Sequence, residues 1–510
     1  MAGPPSRAAL DRKDLLLLVA AALAASVFLI AERRIAHAPG LPLDDGWIHL
    51  TVARNLATGR GFGINPGEPV AVSTAPLWSV ALAGLLALGV PALAAAKALG
   101  LACWVATGLV TRRLAGAVGL PPGLACGAGL AVIGLSRLVW GALSGMEVPL
   151  ATLAVAAAAW AIARGRPDLG AAGLGLATLA RPEAALLAAL HALGAPRWPA
   201  ALRRAALAGL VVAPAVAFNL ATGNRVVPVS AAAKIEGGLL GRAEGLADAW
   251  AVALRDVSVF VADWGRLLWE DHLALPALLL VGLVVTRAGP LRWLAAGLVL
   301  HPVAMALIAP YRGPSFQTGR YSSHLAPLAV VVALAGFQRV RDRLPGRPLR
   351  VAAGAILFVG LVWTLPAGAT AYAWGVQNIN AMQVRLGHWL AAHTPPDTLI
   401  ALNDLGALTF FGERRVVDLV GLATPEVLPY RRQGAEAMLR YLGRRCPEYL
   451  VIFPAWFPEL AARADLFRPA TEVTLAHNVV AGAATMTVYE TVWHRDRRPG
   501  PTPCPGAATG

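Results

Sequence analysis

The sequence predicts a mainly α, polytopic transmembrane helical bundle of about 11 spans that carries a C-terminal extracytoplasmic α/β domain. Three observations predict it. Of 510 residues, 57% are hydrophobic and only 14% are charged, the balance of a chain that sits in lipid. Apolar runs near the roughly 20 residues needed to cross a bilayer recur from the N-terminus to about residue 373. The net charge of +15, nearly all arginine, falls in short clusters between those runs and gathers on no single face. That pattern encodes topology. Nucleic acid is excluded as a partner, because binding it needs a basic patch interleaved with exposed aromatics or a fold signature, and the chain has neither.

The apolar runs fall at about 15 to 31, 92 to 111, 122 to 140, 147 to 163, 205 to 221, 273 to 286, 293 to 310, 324 to 337 and 351 to 373. A shorter pair, 168 to 180 and 183 to 195, joins at Arg181-Pro182. The first run follows Arg7, Arg12 and Lys13 as a signal peptide does, but no small-residue cleavage site follows it. It reads as an uncleaved span. Counting the short pair as two spans puts the arginine clusters at 112 to 113, 164 to 166, 197 to 204, 287 to 292 and 339 to 350 on the side of the basic, cytoplasmic N-terminus. Residues 76 to 89 are apolar enough to tempt a further span, but that crossing would invert every later cluster. They read instead as a helix along the outer face. Outside then lie 32 to 91, the turn 141 to 146, the Arg181 apex, 222 to 272, 311 to 323 and everything after about 374.

From about Trp374 the apolar runs shorten to strand length. TLIAL, RVVDLV, YLVIF and ATMTVYETVW read as strands, and NINAMQVRLGHWLAAH and EAMLRYLGRR as amphipathic helices. The chain divides into a membrane domain over 1–373 with an external loop at 32–91, an α/β domain over 374–495, and a Pro/Gly/Arg-rich tail over 496–510 that composition predicts to be disordered. No pair of broken spans repeats, which argues against a transporter. Cys103 and Cys126 lie in apolar runs and Cys446 and Cys504 near the end, and no Cys/His spacing indicates a disulfide framework or a structural metal.

Residues 41 to 79, LPLDDGWIHLTVARNLATGRGFGINPGEPVAVSTAPLWS, set adjacent acids and many turn residues directly after an apolar segment. Asp44 is placed to cap a helix running to about Thr58. Asp45 and His49 then share a face, and Ile48, Val52 and Leu56 form an apolar stripe suited to a membrane surface or a bundle of spans. A purely structural role for the acids, an N-cap and a solvated charge, remains open at this point. GALSGMEVPLA at 141 to 151 sets Ser144 in a tight turn and Glu147 at a helix start, where the dipole alone favours an acid. Arg181 and Glu183 interrupt an apolar stretch, and a charge at membrane depth pairs or faces a cavity. Asn403, Asp404 and Asp418 follow or end strands, where acids often cap turns.

Taken together these motifs resemble, in order and in side of the membrane, bacterial membrane glycosyltransferases of the C superfamily (GT-C). The subgroup resembled is that of the cell-wall arabinofuranosyltransferases; protein O-mannosyltransferases and lipid A aminoarabinose transferases are more distant relatives. DDGWIHLTVARNLATGRGFGINPGEPV…STAPLW is similar to that subgroup's first external loop, with Gly46 and Trp47 in place of Ala and Tyr. SGMEVPL departs from its motif only at Val148. The segments around Arg181-Pro182-Glu183, TGNRVVPVSAAAK ending at Lys234, GRY at Arg320-Tyr321, and ALNDLGA…VDLVGLATPE complete the resemblance, which runs from about Asp44 to Trp493.

The resemblance implies a multi-pass enzyme of the bacterial inner (plasma) membrane. It would move a sugar from a polyprenyl-phosphate donor to a glycan, lipid or protein acceptor on the extracytoplasmic face. By the family pattern the catalytic residues are Asp44, as general base, and Asp45, as orienter, acceptor contact or metal ligand, so a divalent cation is possible. Arg54, Asn55, Ser144, Glu147, Arg181, Glu183, Lys234, Arg320, Tyr321, Asn403 and Asp404 are the implied substrate-binding residues. Positive charges aimed at a leaving phosphate stabilise the charge that develops there, and one carboxylate suffices to take an acceptor's proton in an inverting displacement. A glycosidase instead needs two carboxylates about 5 to 10 Å apart across the scissile bond, and the neighbours Asp44 and Asp45 diverge on a helix start. A lipid-linked sugar transporter or flippase explains the spans but not the paired acids or the α/β domain. A catalytically inactive relative acting in binding or assembly explains the motifs but predicts no turnover.

Overall fold

The structure, a computed structural model, describes residues 11–223, 225–235, 246–310 and 312–494, with the side chains of 232–234 and 246–253 outside that description. The tail expected to be disordered falls outside the described residues. Segments apolar on every side have no face to give to water, and the first three quarters of the chain is accordingly one helix after another. These are α1 (Arg12–Ile35), α2 (Asp44–Ala57), α3 (Pro76–Ala87), α4 (Ala92–Ala117), α5 (Pro122–Gly134), α6 (Ser136–Leu143), α7 (Val148–Ala163), α8 (Pro167–Ala180), α9 (Ala185–Leu193), α10 (Trp198–Gly223), α11 (Val229–Ile235), α12 (Leu246–Asp271), α13 (Leu275–Thr286) and α14 (Arg292–Ile308). A single turn, α15 (Phe316–Gly319), then leads to α16 (Ala326–Arg341), α17 (Arg347–Trp363), α18 (Leu365–Ile379) and α19 (Arg385–His393).

Five helical stretches, Arg12–Ile35, Ala92–Ala117, Trp198–Gly223, Phe316–Arg341 and Arg347–His393, are by themselves long and apolar enough to cross a membrane. The run 122 to 140, read from the sequence as one span, is two helices bent by 54° at Leu135, whose backbone is extended. A second pair, Leu254–Asp271 and Leu275–Thr286, bends by 107°. Pro76–Ala87, Val148–Ala163, Pro182–Leu193 and Arg292–Ile308 are shorter apolar helices. The boundary expected at 374 falls inside α18, and a π-helical turn at Asn380–Val384 carries the same rod on into α19. No linker separates the two domains there.

Beyond α19 the chain forms β1 (Leu399–Leu402), α20 (Gly406–Gly412), β2 (Arg415–Asp418), α21 (Leu428–Arg432), α22 (Ala435–Arg445), β3 (Tyr449–Ile452), α23 (Pro458–Ala461), β4 (Phe467–Thr474) and β5 (Thr485–Thr491). The sheet order is β2-β1-β3-β5-β4, with β2, β1 and β3 parallel and the last two pairings antiparallel. Parallel neighbours need a crossover, and α20 and α22 fall between the parallel strands as crossover segments. The sequence reading missed β4. Its register breaks between Pro469 and Thr471 and its residues stay mostly exposed, as an edge strand that tolerates proline does.

Two expectations about α2 are corrected. Asp44 does not cap α2: the cap residue is Leu43, whose side chain makes no capping bond. Nor does the stripe of Ile48 and Val52 lie on lipid or on the spans. It packs with Met382, Leu386, Leu408 and Val451 of the C-terminal domain, while Trp47, Leu50 and Ala53 on the other face pack with Trp78 and Leu82 of α3. With both faces covered, α2 is a shared core element that joins the external loop to the α/β domain. Cys446 is disulfide-bonded, a bond that spacing did not indicate, and Cys103 and Cys126 are free.

Candidate active site

Because α2 is clamped between the bundle and the α/β domain, its first turn opens into the space between them. That space is a cavity of about 1190 Å³. Its walls come from the start of α2 (Asp44, Asp45), the α6–α7 turn (Met146, Glu147), the Arg181 apex, the segment Phe316–Tyr321, and the loop after β1 (Asn403, Asp404). Segments scattered along the whole sequence thus meet at one place.

Asp44 is 7% exposed and uses both carboxylate oxygens on another helix: Ala407 N–H donates to Oδ1 at 2.7 Å and Gly406 N–H to Oδ2 at 2.5 Å. It therefore caps α20, not its own helix. Gly406 permits this approach, since a Cβ there would lie 2.0 Å from the Asp44 carbonyl oxygen. Asp404 is close enough for its charge to act on Asp44, and its Oδ2 accepts from Gln383 Nε2 at 2.8 Å. Two carboxyls held together out of water cannot both ionise freely. Burial first, and the Asp404 charge second, push the Asp44 carboxyl well above the usual carboxylate range; Asp404 is raised too, mainly by burial. The pair retains a proton where lone carboxyls would have lost theirs.

Asp45, its side chain 38% exposed, pairs with Arg320 Nη1. Arg320 Nη2 donates to Tyr321 Oη at 3.0 Å, and its Nε makes no hydrogen bond among the described residues. The Tyr321 ring lies 5.0 Å from the Arg320 guanidinium and 4.9 Å from that of Arg181. Arg181 in turn pairs with Glu147, and with Glu183 at 3.2 Å. His49 Nε2 bonds the other Glu147 oxygen at 3.1 Å, and its Nδ1 contacts Ser79 Oγ at 3.1 Å. One polar chain thus runs from the acid of α2 through two guanidiniums to Glu147. Gln317 and Thr318, just before Arg320, both have left-handed backbones (φ 47° and 62°), a costly conformation for such residues that concentrates at functional segments.

The structure brings Asp44, Asp45, Glu147, Arg181, Arg320, Tyr321, Asn403 and Asp404 to the cavity wall. The remaining expected residues sit elsewhere. Arg54 donates to Phe410 O and Glu413 Oε1, both at 2.8 Å, and ties α2 to α20. Asn55 Nδ2 donates to Gly63 O and Ile64 O and holds the glycine turn. Ser144 Oγ donates to Gly141 O and accepts from Met146 N–H, so it fastens the α6–α7 turn. Glu183 meets the site through its pair with Arg181, and the side chain of Lys234, on α11, lies outside the described residues. Asp418 accepts the N–H groups of Val420, Leu422 and Ala423 and organises its own loop. Sequence reasoning missed Arg312, Gln383, Arg431, Arg432 and Trp456, which also line the cavity. An arginine carries no local signal that distinguishes a cavity wall from a solvated surface. Among the described residues, no three His, Cys, Asp or Glu side chains are grouped to hold a metal ion. Asp44 is engaged with α20 and Asp45 with Arg320, so the acids as arranged do not form a metal centre.

A domain family of unknown function, DUF8728, matches residues 377–493. No curated protein sequence matches the chain significantly. Solved structures do match. The oligosaccharyltransferase of Archaeoglobus fulgidus, crystallised with Zn and sulfate, aligns over 94% of this chain and 73% of its own at 12% identity, with a TM-score of 0.56. ArnT from Cupriavidus metallidurans, bound to undecaprenyl phosphate, aligns over 93% of this chain and 97% of its own at 12% identity, with a TM-score of 0.57. The chain shares its fold with both. The same oligosaccharyltransferase, AglB, in complex with an inhibitory peptide and a dolichol-phosphate, aligns over 86% of this chain with a TM-score of 0.51. The GT-C likeness extends over the spans and the C-terminal domain together.

Proposed function

We propose that this chain is an integral membrane glycosyltransferase that moves a sugar from a polyprenyl-phosphate donor to an acceptor hydroxyl on the extracytoplasmic face, with inversion. The observation that carries the reading is the meeting of Asp44 and Asp404 with Arg181 and Arg320 in one cavity between the bundle and the α/β domain. The undecaprenyl phosphate and dolichol-phosphate held by structures of this fold support a lipid-phosphate donor. So do the motifs shared with cell-wall arabinofuranosyltransferases, the subgroup to which we assign the chain.

Arg320, braced by Tyr321, takes the donor phosphate. Asp45 is displaced from its guanidinium as the phosphate arrives, and charge-assisted bonds stabilise the leaving group as the glycosidic bond breaks. By the family resemblance Lys234 is assigned to the same phosphate. Asp44 removes the acceptor's proton. Two backbone donors orient its carboxylate, and its raised affinity for a proton makes it a stronger base than an exposed carboxylate. The greater exposure of Asp45 favours a second reading in which Asp45 is the base and Asp44 only anchors α20.

We further place the enzyme in the bacterial inner membrane with about eleven crossings, the Asp44 loop and the α/β domain both outside. Incubating the purified protein with a panel of polyprenyl-phosphate sugars and candidate acceptors, and weighing the products by mass spectrometry, tests the reading. A glycosylated product with free polyprenyl phosphate is expected. Absence of transfer from every donor contradicts it, and movement of intact donor between leaflets without turnover supports a flippase.

A further inference from the structure

Trp456 stands where two hollows meet. With Arg431 it lines both the main cavity and a second cavity of about 250 Å³, whose floor is Met438 and Leu460 and whose rim carries Glu459. The indole is half exposed, at 50%, yet it is fixed in place. Its Nε1–H donates to Gly482 O at 3.0 Å, and the Phe453 ring lies 5.3 Å away at 50°. A Cβ on Gly482 would come within 2.5 Å of the indole, so the glycine lets the nitrogen-bearing edge of the ring approach the backbone closely. Gly434 borders the second cavity with open space where its Cβ would be. On the other wall, Arg431 Nη1 is held by Val420 O at 3.0 Å.

A large exposed aromatic that is already immobilised costs little entropy when a ligand covers it. The chemistry of the hollow selects the ligand. A flat apolar plate with a guanidinium and a carboxylate at its edges matches a sugar ring, whose C–H face packs on an indole while its hydroxyls bond donors and acceptors around the rim. An acyl chain would leave both charged groups desolvated without partners. The second cavity is smaller than the 300 Å³ or so at which drug-sized ligand sites begin, a size for one ring.

From this we infer that the acceptor is a glycan at least two units long, with its reacting unit in the main cavity and the following unit stacked on Trp456 in the second. The inference rests on the transferase reading. Its test is made without donor, so the two fail separately. Fluorophore-labelled mono-, di- and tetrasaccharides of arabinose, mannose, galactose and glucose are titrated into the full-length protein in nanodiscs. For at least one sugar, affinity is expected to rise about tenfold or more from monosaccharide to longer chain, a gain of one ring's stacking and hydrogen bonds. Trp456→Ala is expected to erase that gain, and Trp456→Phe to keep most of it. If Trp456→Ala does not fold, Arg431→Gln and Glu459→Gln, which leave the plate intact, are expected to reduce the gain severalfold. Absence of a length-dependent gain for all four sugars, or a gain unchanged in every variant that folds, overturns the subsite. Sugar transfer by a protein without the gain would retain the enzyme and lose the subsite.

Discussion

Inside the cavity the N–H groups of Gly406 and Ala407 hold the Asp44 carboxylate of the external loop in place, and the charge of Asp404, also from the α/β domain, adds to burial in raising its proton affinity. The proposed base is therefore positioned and tuned by residues from the far end of the chain. In the proposed reaction the α/β domain sets the proton affinity of the base.

The rate should report that tuning. Asp404→Asn keeps the size of the side chain and an oxygen that accepts from Gln383, but it removes the second charge. The acid limb of kcat/KM, which rises as the pair loses its proton, is expected to move to lower pH in Asp404→Asn. A limb that stays in place shows that Asp404 does not act on the base.

Stability follows the same proton with a definite sign. The folded Asp44 carboxyl titrates above its ordinary value of 3.8, so across the window from there up to the raised value the folded protein binds more protons than the unfolded chain. Stability therefore falls as pH rises through that window and levels off above it. Thermal melts in detergent should show the wild type losing more on going from acid to alkaline pH than Asp404→Asn does. Parallel losses would contradict this.

Gly406→Ala tests the contact by steric means. The added Cβ falls 2.0 Å from the Asp44 carbonyl and 2.6 Å from Oδ2, so α20 must withdraw and the two charge-assisted bonds weaken. With bonds of that kind worth about 1.5–3 kcal/mol each, transfer should drop by about tenfold or more and the protein should melt earlier. Normal activity in Gly406→Ala would mean the contact is dispensable.

Glu147→Gln addresses the far end of the polar chain. It leaves Arg181 and His49 facing a neutral amide, and removing one partner of a buried ion pair costs about 3–5 kcal/mol. The remaining pairing of Arg181 with Glu183 places the expected loss near the lower end, about 3 kcal/mol. A melting temperature equal to that of wild type would show the pair to be solvated.

Much of this site was legible because charge in an apolar chain is costly and so is conspicuous. Asp44, Asp45, Glu147 and Arg181 were conspicuous as charges beside apolar runs, but their roles, and Arg320 altogether, came from the resemblance to GT-C enzymes; the strands at Leu399, Arg415, Tyr449 and Thr485 showed by their length and alternation. What local pattern could not disclose was which helix Asp44 caps, since α20 lies at the other end of the chain. For the same reason the stripe of Ile48 and Val52 looked fit for lipid. Its actual partners, such as Leu386 and Val451, are set by tertiary packing alone. Arg431, Arg432 and Trp456 carried no motif in the sequence, and only the fold places them on the cavity wall.

Arg320→Lys keeps the charge and loses the planar fork that reaches Asp45 and Tyr321 together. The KM for lipid-linked donor is expected to rise about tenfold or more, the value of one charge-assisted hydrogen bond. An unchanged KM would remove Arg320 from the phosphate site.

Turnover of a lipid-linked sugar by Asp44→Asn and Asp45→Asn, measured beside wild type with melting temperatures, tests the central claim most directly. An asparagine at 44 retains the size of the side chain and one acceptor oxygen for α20 but takes no proton. Asp44→Asn is therefore expected to lose about 10²-fold or more in kcat while still folding, and Asp45→Asn to lose less. Near-normal turnover by Asp44→Asn with a crippled Asp45→Asn would transfer the base to Asp45, and near-normal turnover by both would contradict the mechanism.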